Sequence, residues 1–166
     1  MLRKSTLILA GLAAAVAATT VAAKPANAEV GVGIFLGQPT GFDLKLDLSR
    51  RTALDFVVGW ADYDEDRGRD GYVHATFLAN LGNARGRSVV VPFRVGIGGA
   101  FYDDGGRDFG DDINIAVRAP FEIGIRFKSA PVEIYGEVAI KLTLIDEGYD
   151  DDDVDADGGL GLRIYF

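Results

Sequence analysis

The segment "DEGYDDDDVDADGG" at residues 146–159 concentrates carboxylates of the kind that hold hard divalent cations through oxygen. Asp153, Asp155, Asp157 and Gly158 match the opening of a D-x-D-x-D-G calcium loop. The closing position of such a loop needs a bidentate glutamate, and Ile164 stands there, so an EF-hand is excluded. Asp153, Asp155 and Asp157 remain a candidate calcium site of looser design, against the plainer reading of a solvated acidic loop. The second candidate chemistry rests on His74, the sole histidine. A nucleophilic serine needs a base within hydrogen-bond reach. After the first 28 residues the serines are Ser49, Ser88 and Ser129, all at expected turns or strand ends remote from the acidic loops, and cysteine is absent. No catalytic residue is assigned, the expectation is that the chain is not an enzyme, and no cofactor is expected beyond that calcium.

The elements that must position these residues are strands. From Glu29 onward apolar residues recur at every second position, the period of a β-strand with one apolar face. The pattern predicts eight strands at 29–37, 40–48, 53–61, 72–81, 88–102, 113–127, 131–144 and 157–166. One parity is wholly uncharged, as in Val30, Val32, Ile34 and Leu36 or Leu160, Leu162, Ile164 and Phe166. The other carries Lys45, Asp55, His74, Arg94, Arg118, Glu122, Arg126, Glu137, Lys141 and Arg163, with Asp43, Asp47 and Glu133. Connections alternate between short (49–52, 82–87, 128–130) and long (62–71, 103–112, 145–156), as in an up-and-down barrel with both termini at the short-turn end.

Alternation alone does not say which face looks inward, because a soluble barrel that binds an apolar ligand has the same period with its faces exchanged. Glycines cluster on the charged parity (Gly31, Gly33, Gly59, Gly96, Gly98, Gly124, Gly161), which suits the crowded interior of an eight-stranded barrel better than a water-facing surface. Six basic residues on that parity face six acidic ones, a balance that burial requires. Aromatics gather near strand ends, with Phe42, Trp60, Tyr72, Phe101 and Tyr102 toward the long loops and Phe127, Tyr165 and Phe166 toward the short turns, as in two interfacial girdles. These features favour charges inside and lipid outside. Lys45, Asp55, Arg94, Arg118, Glu122, Arg126, Glu137, Lys141 and Arg163 are then expected to plug the lumen by ion pairing, beside Phe35, Val57 and Leu78, and no wide channel is expected.

The first 28 residues have Arg3 and Lys4, an apolar run from Leu7, and Ala26-Asn27-Ala28 before Glu29, the pattern of a secretory signal peptide cleaved after Ala28. Its removal leaves fourteen basic against twenty-five acidic residues, a net charge of −11 that makes nucleic acid an improbable partner. The long loops carry −15 of this and the short turns +5. Without cysteine, neither a disulfide nor a lipidated cysteine holds the exported domain, residues 29–166.

The closing "LGLRIYF", apolar at alternate positions back from Phe166, resembles the signature that the barrel-assembly machinery reads on outer-membrane barrels. Over residues 29–166 the architecture resembles the small barrels of the OmpA and OmpX type. Through "GIFLGQPTGFDLKLDL", "ALDFVVGW", "PFRVGIGG" and "GGLGLRIYF" it is similar to a family of uncharacterised outer-membrane barrels with spirochaete members. The resemblance implies a monomeric outer-membrane barrel with outer-membrane lipid and the assembly machinery as partners, and host or cell-surface proteins as partners of the loops. The expected role is structural or interaction-mediating. A soluble periplasmic or secreted barrel and a loop-based hydrolase are the alternatives.

Overall fold

The computed structural model describes residues 29–61, 70–103, 113–145 and 154–166. The chain closes into an antiparallel barrel of eight strands, namely β1 (Val30–Gln38), β2 (Thr40–Asp47), β3 (Thr52–Ala61), β4 (Asp70–Arg85), β5 (Val89–Asp103), β6 (Ile113–Phe127), β7 (Val132–Ile145) and β8 (Val154–Tyr165). Each strand pairs with its neighbours in sequence, and β8 returns to β1 in the register Gly31↔Tyr165 to Gln38↔Gly158. Val30 and Phe166 complete the closure, Val30 N donating to Phe166 O at 3.3 Å and Phe166 N to Val30 O at 2.9 Å. The barrel therefore has no free edge.

Residue chemistry accounts for the turns as well as the strands. In the β2–β3 turn the Ser49 hydroxyl accepts from Arg51 N and Thr52 N, both at 3.1 Å, so a side chain stands in for the missing ladder partners. Arg51 O accepts from Asn80 N at 2.7 Å, which ties this turn to β4.

Two strands differ from the sequence expectation. β8 begins at Val154, three residues before the expected start at 157, which puts Asp155 on a strand and not in a loop. β4 runs on to Arg85, because a bulge between Asn80 and Gly82 lets it keep pairing with β5 through Asn83↔Pro92 and Arg85↔Val90. Asn80 holds the bulge, its Oδ1 accepting from Gly82 N at 2.9 Å and its Nδ2 donating to Asn83 Oδ1 at 3.1 Å. A bulge shifts the two-residue period by one. Inward positions of β4 are even up to Asn80 and odd at Asn83 and Arg85, and a reading of uniform alternation ends the strand too soon.

The faces sort as the membrane reading requires. Ile97 (63% exposed), Ile140 (65%) and Leu160 (65%) belong to a belt of apolar side chains pointing away from the barrel, whereas Arg118 and Arg163 are fully buried inside it. At its outer end the belt carries Phe42, Trp60 and Phe101, and at its inner end Phe127 and Phe166, all exposed. Tyr72 and Tyr165 depart from the expected girdles. Both are buried in the lumen, and Tyr102, half-buried, stacks on Tyr72 at 6.1 Å between ring centroids. Their parity turns them inward, and their hydroxyls are paired there, Tyr72 with Asp157 and Tyr165 with Glu133.

Candidate functional site

The lumen is a polar core in three layers, anchored by Arg163 of β8. Its Nε donates to Asp43 Oδ2 of β2 at 2.6 Å, its Nη2 to Asp55 Oδ1 of β3 at 2.7 Å, and its Nη1 to Glu122 Oε2 of β6 at 2.7 Å. The guanidinium lies 3.6 Å from the centroid of the Tyr135 ring, and the Tyr135 hydroxyl donates to Asp43 Oδ2 at 2.6 Å. One side chain thereby binds four other strands. Tyr135 takes its place because Gly161, opposite it on β8, has no Cβ; a Cβ there would stand inside the ring. Phe35 stacks on Tyr135 at 5.8 Å and, with Val57, fills the remaining apolar space.

The outer layer is built on Arg118 and Lys141. Arg118 donates to Glu137 Oε1 at 2.6 Å, Thr76 Oγ1 at 3.1 Å and His74 Nε2 at 3.1 Å. Lys141 lies 3.2 Å from Asp155 Oδ2 and 3.3 Å from Asp157 Oδ1, over the Tyr102 ring at 4.5 Å. Tyr72 donates its hydroxyl to the other oxygen of Asp157 at 2.9 Å. Above them Ala61, Ala100 and Ala116 pack with Tyr72 and close the layer.

In the inner layer Arg94 pairs with Glu122 and with Glu133, its Nη1 lying 2.5 Å from Glu133 Oε1. The Tyr165 hydroxyl donates to Glu133 Oε2 at 2.5 Å. Lys45 pairs with Asp47. Below this layer the barrel opens into a vestibule of about 790 Å³ at the short-turn end.

Most of the expected plug is therefore present. Lys45, Asp55, Arg94, Arg118, Glu122, Glu137, Lys141 and Arg163 are all buried on the lumen side. Arg126 is the exception. It sits at the last inward position of β6, where the barrel widens, and its partly exposed Nη2 pairs with Glu29 at 2.5 Å over the Tyr165 ring. The network also includes Asp43, Glu133, Asp157 and the hydroxyls of Tyr72, Tyr135 and Tyr165. Parity was the available signal for the tyrosines: Tyr135 alternates with Glu133 and Glu137, Tyr165 with Arg163, and Tyr72 with His74. Among the buried charged residues described, five cations face six carboxylates, a near balance of the kind that burial of charge favours.

The two early candidates for chemistry fall within this network. His74 is buried, with Nε2 toward Arg118 and 3.8 Å from Asp55 Oδ2. Ser49 and Ser88 are exposed at the turns of the opposite end. Asp155 and Asp157 converge on Lys141, Asp153 lies outside the described residues, and no cluster of three or more metal-ligating side chains occurs among the described residues.

No family model matches the chain, and no curated protein matches it. Among solved structures it is similar to the crystal structure of the outer membrane enzyme PagL, at a TM-score of 0.47 and 15% identity, over 82% of this chain and 98% of that one. The chain is a closed eight-stranded antiparallel barrel. PagL is an outer membrane enzyme, against the expectation that this chain is not one, and that expectation is withdrawn without an activity being assigned.

Proposed function

We propose that the protein is exported on a signal peptide spanning residues 1–28 and resides in a Gram-negative-type outer membrane as a monomeric barrel with a closed lumen. Its acidic outer segments form an interaction surface for cell-surface or host proteins. The observation that carries this reading is the inversion of faces: a continuous apolar belt points outward, and ion pairs fill the interior. A water-soluble barrel for an apolar ligand needs the opposite arrangement, and this lumen has Arg163, Asp43, Asp55 and Glu122 where the ligand would sit. In hydrocarbon every backbone polar group must be paired internally, and closure of β8 on β1 achieves that. The acidic residues at 62–71, 103–112 and 145–157 support an electrostatic contact with basic partners.

The experiment is fractionation of the expressed protein followed by electrophoresis with and without boiling. Extraction only by detergent, with a mobility shift on boiling, is the expected result. Release as a soluble species without detergent would overturn the reading. Replacement of the six acids at 146, 147 and 150–153 by their amides is expected to weaken retention of basic surface proteins by whole cells while leaving the mobility shift intact.

A further inference from the structure

The vestibule at the short-turn mouth has a chemistry opposite to that of the acidic outer segments. Six cations line it, Lys45, Arg50, Arg51, Arg85, Arg94 and Arg126, against the carboxylates of Glu29 and Asp47. Three of the six are already compensated: Lys45 by Asp47, Arg126 by Glu29, and Arg94 by Glu122 and Glu133. Arg50, Arg51 and Arg85 have no acidic partner among the described residues. Their convergence is built by the fold. The Ser49 turn holds Arg50 and Arg51 at the rim and is tied to β4 through Arg51 O. The bulge at Asn80 shifts the register of β4, so that Arg85 lines the vestibule opposite Val90. Without that bulge Arg85 would share the parity of Leu81 and face outward.

We propose that this vestibule binds a phosphate-bearing anion. Its volume of about 790 Å³ lies in the range of small-molecule sites. Guanidinium groups offer forked donors and no acceptor, which suits phosphate oxygens. Three uncompensated arginines match a diphosphate better than a monoanion. None of the residues lining the cavity belongs to the exposed apolar face, which favours a soluble phosphate compound over a lipid headgroup as the source.

The test is calorimetric titration of the full-length, detergent-folded protein with inorganic pyrophosphate, in wild type and in a variant with Arg50→Gln, Arg51→Gln and Arg85→Gln. Saturable binding that weakens with salt is expected, with at least about a tenfold loss in the triple variant, since each charge-assisted hydrogen bond removed contributes to affinity. Lys128→Gln, a basic change outside the vestibule, is expected to bind as wild type does. Asp47→Asn removes a lining carboxylate and frees Lys45, and is expected to tighten binding, a change of sign that loss of structure would not produce. Retention of the boiling-dependent shift confirms that each variant is folded. Competition by phosphatidylglycerol doped into the micelles would support the site with a lipid headgroup as its source, and indifference to it supports a soluble source. Absence of saturable binding, or equal binding by wild type and the triple variant, would overturn the proposal.

Discussion

Replacement of Arg163 by methionine should be among the most damaging single changes in the lumen. Methionine keeps much of the packing volume and removes the charge. In the wild type the guanidinium reaches Asp43, Asp55 and Glu122 at 2.6–2.7 Å. In the variant Glu122 keeps Arg94, Asp43 keeps the Tyr135 hydroxyl, and Asp55 keeps the neighbourhood of His74 and of Lys45, its cross-strand partner. Stripping a buried charge network of one partner costs about 3–5 kcal/mol. Three charge-assisted hydrogen bonds at roughly 1.5–3 kcal/mol each set a higher ceiling, which the residual partners of Glu122 and Asp43 bring down toward that range. A loss of about 3–5 kcal/mol is a large share of the 5–15 kcal/mol by which proteins are typically stable. Urea unfolding of the detergent-folded barrel, followed by the fluorescence of the sole tryptophan, Trp60, measures it. Adding Asp43→Asn and Asp55→Asn to Arg163→Met neutralises the two stranded carboxylates and should recover at least half of the loss. The reasoning is refuted if Arg163→Met lies within about 1 kcal/mol of wild type, the size of an ordinary surface change, or if the added amides recover nothing.

Three other expectations concern the two faces of the wall and the plug. Ile34→Arg places a charge on the exposed apolar face and should cost roughly 2–4 kcal/mol in the same unfolding assay if it lies near the bilayer midplane. Gly161→Ala sets a Cβ against the Tyr135 ring and should cost about 1–3 kcal/mol, with Tyr135→Ala in the same chain relieving the clash and making the two changes non-additive. In planar bilayers the wild type should show no steady conductance, and paired removal of Arg94 and Glu133 should not create one, because Arg163 and Arg118 still close the two layers above; sustained single-channel steps in either protein would count against a filled lumen.

Much of the barrel is legible in the sequence because the two-residue period is a direct consequence of strand geometry, and a one-residue slip would move charges such as Arg94 and Glu122 onto the exposed apolar face. What was hidden lay where that period breaks or where side-chain type misleads. The bulge falls at Leu81, and beyond it Gly82, Asn83, Ala84 and Arg85 offer no large apolar residue to carry the alternation on, so Arg85 reads as part of a turn. Tyr72, Tyr102 and Tyr165 were placed in girdles by their aromatic character and their position near strand ends, although their parity already pointed inward. Asp155 reads as loop because a run of acids has no apolar partner positions to show a strand. Partner choice within the lumen was beyond reach for another reason: Arg163 meets Asp43 across 120 positions of sequence, a contact decided by which way long side chains lean inside a closed wall.

The place of Arg163 in the last strand bears on how the chain is assembled. Asp43, Asp55 and Glu122 are supplied by β2, β3 and β6, and their shared cation comes only with β8, the strand that also seals the wall against β1. Until that seam shuts, Asp43 and Asp55 lack this cation, whereas Glu122 already has Arg94 of β5. Closing β8 onto β1 therefore does two things at once: it pairs the last backbone edge and it delivers the one cation that Asp43, Asp55 and Glu122 share, so the seam is locked from within as well as along the wall.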